Sequence, residues 1–332
     1  MSEAPAGALP SPRGFSKKKA ALVAIKAAVT LGCLWYVARQ VEFAKITAVA
    51  GSLDIGWLGL AELVVMLQIP LVALRWNEIL EALTARRQPI TAMIAVTAIG
   101  QFFTQVLPNV VGDGMRAWLL ARLGSGWRNA VTSVVIDRGV GVGLMIALAF
   151  GILLLPSALT ALAGYRDAVL VVYGAMLMAG LIGLLLVPLL VPILERWRFT
   201  REIGTFAAAA RRVLIGPRSP AILAIAGVVH ALTICVVWSI GRAQGLILPV
   251  TDAAVLFTVM VGISIIPVSV GGWGLRELAV VSVLGDHGVA PERALLFSVC
   301  FGLVFIVGSL PGALAWLLYP LPRSERSPGA GR

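Results

Sequence analysis

Three groups of charged residues lie where the surrounding sequence is apolar. Arg116 follows one interruption of an apolar run, Asp137 and Arg138 lie inside the next apolar segment, and Arg276 and Glu277 follow a second interruption. Ionisable side chains within apolar segments are costly and usually face a bundle interior or a water-filled cavity. Since guanidinium groups bind carboxylates and phosphates through several N–H groups, the residue types indicate an anion-binding site.

The two interruptions resemble each other in sequence. LPNVVGDGMR ends at Arg116, and IPVSVGGWGLR ends at Arg276, about 160 residues later. Backbone that leaves the helix at membrane depth is tolerated only where protein buries it or where it lines a cavity. We therefore predict two hairpins whose tips line one cavity. The predicted tip residues are Pro108, Gly112, Gly114, Pro267, Gly271, Gly272 and Gly274.

The second arm of each hairpin is predicted to begin near residues 114 and 274, which places Arg116 and Arg276 in a first helical turn. Unpaired N–H groups and a partial positive charge at a helix N-terminus favour an anion there. The alternative is that Arg116 pairs with Asp113 and Arg276 with Glu277. The candidate substrate-binding residues are Arg116, Arg276, Asp113, Asp137, Arg138, Glu277 and Gln105.

Asp137 and Arg138 lie eight or nine residues into a predicted span, roughly 12 to 14 Å deep. Two interpretations are equally open. The residues either gate access of substrate to the cavity or form a structural pair that holds helices together. Phe297 and Ser298 occupy the corresponding positions of the second half, so the charges are not duplicated there.

The composition indicates that these charged residues belong to a membrane protein. The chain has 332 residues, of which 59% are hydrophobic and 13% charged, and its mean hydropathy is +0.94. We predict an all-α, polytopic integral membrane protein with six full spans and two re-entrant broken-helix hairpins, since a span takes about 20 apolar residues. The predicted spans are 20–38, 55–75, 129–155, 167–193, 220–241 and 294–318, and the hairpins are 89–124 and 251–285.

Basic residues predict the orientation. With both termini in the cytoplasm, the cytoplasmic segments carry nineteen Lys and Arg residues and the opposite segments six, as the positive-inside rule requires. The hairpins then enter from opposite sides, and the halves 17–160 and 161–320 form an inverted-topology repeat within one transmembrane domain. Residues 1–16 and 321–332 are predicted to be disordered cytoplasmic tails, and the inner (plasma) membrane is the predicted location.

Other functions find little support. His230 and His287 have no Cys or carboxylate neighbours at metal-site spacing, no nucleotide-binding loop occurs, and no cofactor is expected. The net charge of +11 comes from short clusters at the ends of apolar segments, which is typical of topology signals and not of nucleic-acid binding. Arg75 is interpreted as an interfacial residue. An enzyme is not expected.

Two stretches, LPNVVGDGMRAWLLARLGSGWRNAVTSVVIDRGVG and PVSVGGWGLRELAVVSVLGDHGVAPERALLFSVCFGLVFIVGSLPG, resemble the flippase-like family that forms the membrane half of lysylphosphatidylglycerol synthases. The resemblance covers residues 17 to 320. It implies a lipid translocase fold, and the chain is similar to stand-alone members without the soluble synthase domain. Substrates of such members include phospholipids, polyprenyl-linked sugars and hopanoid-type lipids.

The leading hypothesis is translocation of a lipid with an anionic or charged headgroup between leaflets, with membrane lipids as partners. A secondary transporter for a small anionic solute is the second hypothesis. The third is a non-transporting membrane partner of a lipid-modifying enzyme, which would dock on segment 194–219. The oligomeric state does not follow from the sequence.

Overall fold

Five long apolar segments form helices long enough to cross a membrane, because a chain in lipid must satisfy its backbone hydrogen bonds within the segment. The computed structural model describes residues 50–107, 109–155, 166–194, 196, 200–265 and 274–318. The five helices are α1 (Ile55–Thr84), α4 (Trp127–Leu153), α5 (Arg166–Leu194), α7 (Ser219–Ala243) and α10 (Pro291–Leu318). They confirm five of the predicted spans, and the sixth, 20–38, lies outside the described residues.

Five shorter helices complete the described part of the chain. They are α2 (Ile90–Val106), α3 (Asn109–Leu120), α6 (Arg201–Ile215), α8 (Val250–Ile265) and α9 (Leu275–Gly285). A π-helical turn, Ala121–Ser125, joins α3 to α4, and Gly124 and Gly126 around it have φ of 89° and 74°, which favours glycine. At 1.5 Å per residue, α2 and α3 are each too short to span the bilayer.

Helices α1 and α7 pack against each other along much of their length and run antiparallel. At one end the Asp54 N–H donates to the carbonyl of Ala243 at 2.9 Å. At the other end Arg218, just before α7, donates to Glu78 at 2.7 Å and to Glu81 at 2.6 Å on α1. These contacts join α1 and α7 at both ends.

Helices α2 and α3 form a hairpin whose two ends meet. The Gln88 amide donates to Ser125 Oγ at 3.1 Å. Between the arms, Gly112 lies so close to the first arm that a Cβ there would come within 2.6 Å of the carbonyl oxygen of Gly100 and 1.9 Å of Thr104 Oγ1. Small residues permit this close approach of two helices. The two arms of the hairpin are therefore in close contact, and its base lies beside the end of α1.

Helices α8 and α9 also pack together and meet at their outer ends, where His287 Nε2 lies 3.8 Å from Asp252 Oδ2. The end of α8 that carries Asp252 follows the end of α7, which lies beside the start of α1. The opposite end of α1 lies beside the base of α2 and α3. Helix α2 packs against α3 and α10, and α8 packs correspondingly against α9 and α4. The base of α2 and α3 and the base of α8 and α9 thus lie at opposite ends of the α1 and α7 pair.

One predicted boundary is wrong. Helix α3 begins at Asn109, so Gly112 and Gly114 lie inside the second arm and are not tip residues. The absence of a side chain at Gly112 permits close packing against Gly100. Gly274 does precede its helix, as predicted, with φ of 87°. The predicted tip residues Pro108, Pro267, Gly271 and Gly272 lie outside the described residues, as do the tails 1–16 and 321–332.

Candidate functional site: a central cavity with four arginines

A cavity of about 600 Å³ lies at the middle of the long helices. Six of the seven predicted site residues line it, and their helices bring them together from three separate parts of the sequence. The charged and polar lining includes Gln68, Arg75, Thr97, Gln101, Thr104, Gln105, Asp113, Arg116, Asp137, Arg138, His230, Thr233 and Arg276. The seventh predicted residue, Glu277, lies behind Arg276 as its ion-pair partner.

Asp137 is the centre of a buried ion network. Arg75 Nε donates to Asp137 Oδ1 at 2.8 Å, and Arg116 NH2 donates to Asp137 Oδ2 at 2.8 Å. The side chain of Asp137 is 1% exposed. The carboxylate therefore ties α1, α3 and α4 together, which supports the structural interpretation of this residue. Asp137 binds Arg75 and Arg116, whereas Arg138 binds Asp113.

Arg116 is held from three sides. Besides Asp137, its guanidinium lies 4.2 Å from the ring centroid of Trp76 and 3.8 Å from Asp113. It is the eighth residue of α3, so the argument that placed it at a helix N-terminus is wrong. The predicted Asp113 pairing is present but long, and the short partner is Asp137. Arg116 Nε is buried without a hydrogen-bond partner among the described residues.

Arg138 lines the cavity and has a half-exposed side chain. Its Nε donates to both oxygens of Asp113, at 2.8 and 2.9 Å, and its NH2 lies 2.7 Å from Asp113 Oδ1. The side chain is 48% exposed, and that of Asp113 is 24% exposed. The ion pair of Arg138 and Asp113 is the most exposed of the ion pairs that are described for the cavity arginines.

Arg276 and Glu277 form the corresponding pair of the second half, at 2.7 Å. Ser298 on α10 accepts from Arg276 Nε at 3.0 Å and donates to Glu277 at 2.9 Å. The second Glu277 oxygen accepts the N–H of Gly274 at 2.6 Å, which caps α9. Here Arg276 is the second residue of its helix, as predicted. The Arg276–Glu277 pairing that the sequence left open is present.

Positive charge exceeds negative charge around the cavity. Four arginines, Arg75, Arg116, Arg138 and Arg276, face two lining carboxylates, and Glu277 adds a third from behind Arg276. The lining also includes apolar residues of the hairpin tip. Val106 and Val110 are 58% and 80% exposed. The site is thus a charged interior with an apolar rim, which is suited to an amphiphilic anion.

Comparison with known protein families identifies the family to which this chain belongs. Residues 23–312 match the family described as "Lysylphosphatidylglycerol synthase TM region". The chain belongs to this family. No curated protein and no solved structure matches the chain. Membership in the lysylphosphatidylglycerol synthase TM region family establishes a multi-pass membrane protein and agrees with a role connected to membrane lipids.

Within this family member, sequence reasoning missed two charged or titratable lining residues. Arg75 was assigned to an interface because the apolar run ends there, yet α1 continues to Thr84. His230 lies on α7 with its Nε2 2.9 Å from the carbonyl oxygen of Gly141. Because the partner of His230 is a backbone carbonyl on another helix, the sequence contains no pattern that predicts this contact. Arg75 has a weak signal, because Glu78 follows it at a spacing of three, which fits a helix that continues past the apolar run.

Proposed function

We propose that this chain moves a lipid with an anionic headgroup between the leaflets of the inner membrane. The observation that carries the proposal is the central cavity, in which four arginines line a space of about 600 Å³ whose rim is apolar. A headgroup requires charge-assisted hydrogen bonds in the interior, and acyl chains require an apolar surface. Both are present at one site.

The charge balance supports an anion as substrate. Counted without His230, the four arginines and three carboxylates of the site among the described residues leave one positive charge in excess. A phosphate would neutralise that excess and supply acceptor oxygens to Arg116 Nε, which has no acceptor among the described residues. Arg138 provides the entry contact because it is half exposed. A phosphate arriving there competes with Asp113 for the same guanidinium.

The rim favours a lipid over a small soluble anion. Val106, Leu107 and Val110 at the tip of the first hairpin are exposed, at 58%, 41% and 80%, beside the Arg138 and Asp113 pair. Exposed apolar side chains next to a charged pair suit an amphiphile whose tails stay in the bilayer. A small solute would need a sealed polar path.

We further propose that the two halves form an inverted-topology repeat with re-entrant hairpins and that both termini lie in the cytoplasm. Three observations support this: the antiparallel α1 and α7 pair, the hairpin bases at opposite ends of that pair, and the corresponding contacts of α2 with α10 and α8 with α4. Transporters with such repeats bind substrate between the halves near the bilayer midplane, and the position of the cavity at the middle of the long helices is consistent with such a site.

The test is transbilayer movement of an acyl-labelled fluorescent phosphatidylglycerol in proteoliposomes, followed by dithionite quenching of the outer leaflet. We expect the wild-type chain to speed the movement. Arg138→Gln removes the entry charge, which should slow it at least tenfold. Because Arg138 is half exposed, its loss should leave folding intact.

Arg122→Gln is the matched control. Arg122 is exposed and stacks on Trp118 at 4.6 Å, outside the cavity, so this variant should move lipid at the wild-type rate. Equal rates for wild type and Arg138→Gln would contradict the proposal. Equal slowing by both variants would show a general effect of charge and would also contradict it.

A further inference from the structure

A second cleft lies away from the central cavity, between the end of α5 and α6. It has a volume of about 400 Å³ and is lined by four residues of α5 and three of α6. The residues are Val187, Pro188, Val191, Pro192, Ala208, Arg211 and Arg212. The α5 wall is entirely apolar, while the α6 wall carries two adjacent arginines. None of these residues belongs to the lining of the central cavity.

Helix α6 has the features of an interfacial helix. With 15 residues it is about 22 Å long, too short to span. Gly204 and Val213 are buried against the bundle, whereas Ile203 and Phe206 are 58% and 38% exposed. A helix with apolar side chains on its outer surface and arginines beside them lies in the plane of the headgroups.

The position of α6 assigns it to one side of the membrane. Arg128, the second residue of α4, pairs with Glu202 of α6 at 2.9 Å, and α6 also packs against α1 and α7. This is the end of the bundle where α4 and α7 begin, which the distribution of basic residues predicts to be cytoplasmic. Anionic lipids of the cytoplasmic leaflet attract basic segments at that level.

Among the described residues, the lining of the cleft includes two arginines and no acidic side chain. Arg211 Nε is buried and has no hydrogen-bond partner among the described residues. Glu202 is the one acidic residue of α6, and it is bound to Arg128. A buried donor without an acceptor is unfavourable, and a phosphodiester oxygen would satisfy it. The apolar α5 wall would at the same time hold an acyl chain.

We infer that the cleft between α5 and α6 is a binding site for an anionic phospholipid of the cytoplasmic leaflet, with Arg211 and Arg212 on the phosphate and an acyl chain along Val187 and Val191. The site is separate from the proposed transport path. A lipid held there anchors α6 to the membrane and to α5.

Native mass spectrometry tests the inference, with the full chain in micelles that contain equal amounts of chain-matched phosphatidylglycerol and phosphatidylcholine. Wild type should retain phosphatidylglycerol preferentially. Arg211→Gln with Arg212→Gln should bind it about 30-fold more weakly, since each basic residue near a membrane surface contributes about 1 kcal/mol. The milder single variant Arg212→Gln should bind about fivefold more weakly and stays informative if the double variant misfolds.

Two further variants distinguish lipid binding in the cleft from nonspecific attraction of lipid to basic residues. Arg196→Gln with Arg201→Gln removes the same charge from exposed positions of the same segment and should retain the lipid like wild type. Ala208→Leu fills the cleft with both arginines intact and should also lose the lipid. Equal loss in the two double variants, or wild-type retention in Ala208→Leu, would overturn the inference.

The source of the phosphate is tested in the same measurement. Inorganic phosphate at millimolar concentration should leave the lipid bound, because the acyl chain contributes to binding, and displacement by phosphate would overturn the lipid assignment. Arg138→Gln in the central cavity should keep this lipid. Loss in Arg138→Gln together with retention in the Arg211 and Arg212 double variant would place the lipid in the central cavity and overturn the inference.

Discussion

Arg116 on α3 donates a hydrogen bond of 2.8 Å to Asp137 on α4, and the two side chains are 5% and 1% exposed. The same carboxylate also accepts from Arg75 on α1. One carboxylate therefore pairs with two buried arginines on two other helices. This junction holds the first hairpin in place between α1 and α4.

Replacing that carboxylate should be severe. Asp137→Asn keeps the shape of the side chain but leaves Arg75 and Arg116 buried without the charge they share. Removal of one partner from a buried ion pair costs about 3 to 5 kcal/mol. We expect a loss of this size in the free energy of unfolding, measured by denaturant titration in micelles.

Asp113→Asn is the matched control for that variant. Asp113 is 24% exposed and its partner Arg138 is 48% exposed, so water solvates the charge that remains. The expected loss is about 1 kcal/mol or less. Similar losses in the two variants would show that Asp137 is not the central residue of the network.

The positions of the long helices could be predicted from the sequence, whereas the polar network could not. Lipid requires about 20 consecutive apolar residues for a span, and this requirement is visible in any window of the chain. Arg75, Asn77 and Glu78 are also buried, but by other parts of the protein. Arg75 was interpreted as interfacial because its partner Asp137 is 62 residues away in sequence.

The glycines of the first hairpin illustrate the same limit. Gly112 and Gly114 were interpreted as a break because glycine weakens helices. In the structure both lie within α3, and Gly112 contacts the backbone of α2. A glycine that permits a helix crossing and a glycine that ends a helix look alike until the partner helix is known.

A pair of glycine substitutions tests this packing. Gly112→Ala would place a Cβ 2.6 Å from the Gly100 carbonyl oxygen and 1.9 Å from Thr104 Oγ1, so the arms must separate. We expect a loss of about 1 to 3 kcal/mol in the free energy of unfolding. Loss of lipid movement should accompany it, because the hairpin tip forms the rim of the cavity.

Gly114→Ala controls for the change in backbone flexibility. Nothing lies within 4 Å of a Cβ at this position. Alanine stabilises a helix relative to glycine by up to about 1 kcal/mol, so this variant should be as stable as wild type or more so. Destabilisation of the same size in both variants would rule out the crossing as the cause.

The ion network at the ends of α1 and α7 gives another prediction. Arg218 donates to Glu78 and Glu81, and Arg87 contacts the same two carboxylates. Arg218→Gln should lower the free energy of unfolding by about 1 kcal/mol at low ionic strength. The difference from wild type should shrink near 1 M salt, because salt screens exposed charges.

Arg86→Gln is the comparison for that variant. Arg86 is exposed in the loop that also contains Arg87, and it makes no ion pair among the described residues. Its replacement should therefore change the free energy of unfolding by less than about 0.5 kcal/mol. A loss for Arg218→Gln that does not depend on salt would show that the interaction is not electrostatic.

The inverted arrangement of the hairpins makes a prediction about accessibility. Single cysteines at Arg86, Arg128, Val250 and Asp286 mark the bases of the two hairpins, since all four positions are exposed. They are introduced after Cys33, Cys235 and Cys300 have been replaced by alanine. A membrane-impermeant maleimide is then applied to intact cells and to inside-out membrane vesicles.

If both hairpins are re-entrant, positions 86 and 128 should react only in inside-out vesicles, and positions 250 and 286 only in intact cells. The physical reason is that the two ends of each hairpin meet, through Gln88 and Ser125 in one and Asp252 and His287 in the other. If α2 and α3 instead crossed the bilayer as one broken span, positions 86 and 128 would react from opposite sides. That result would also exclude the predicted orientation of the termini, because one additional crossing would place them on opposite sides of the membrane. It would contradict the antiparallel arrangement of α1 and α4, in which Gln88 contacts Ser125, Trp76 contacts Ser133 and Arg75 contacts Asp137.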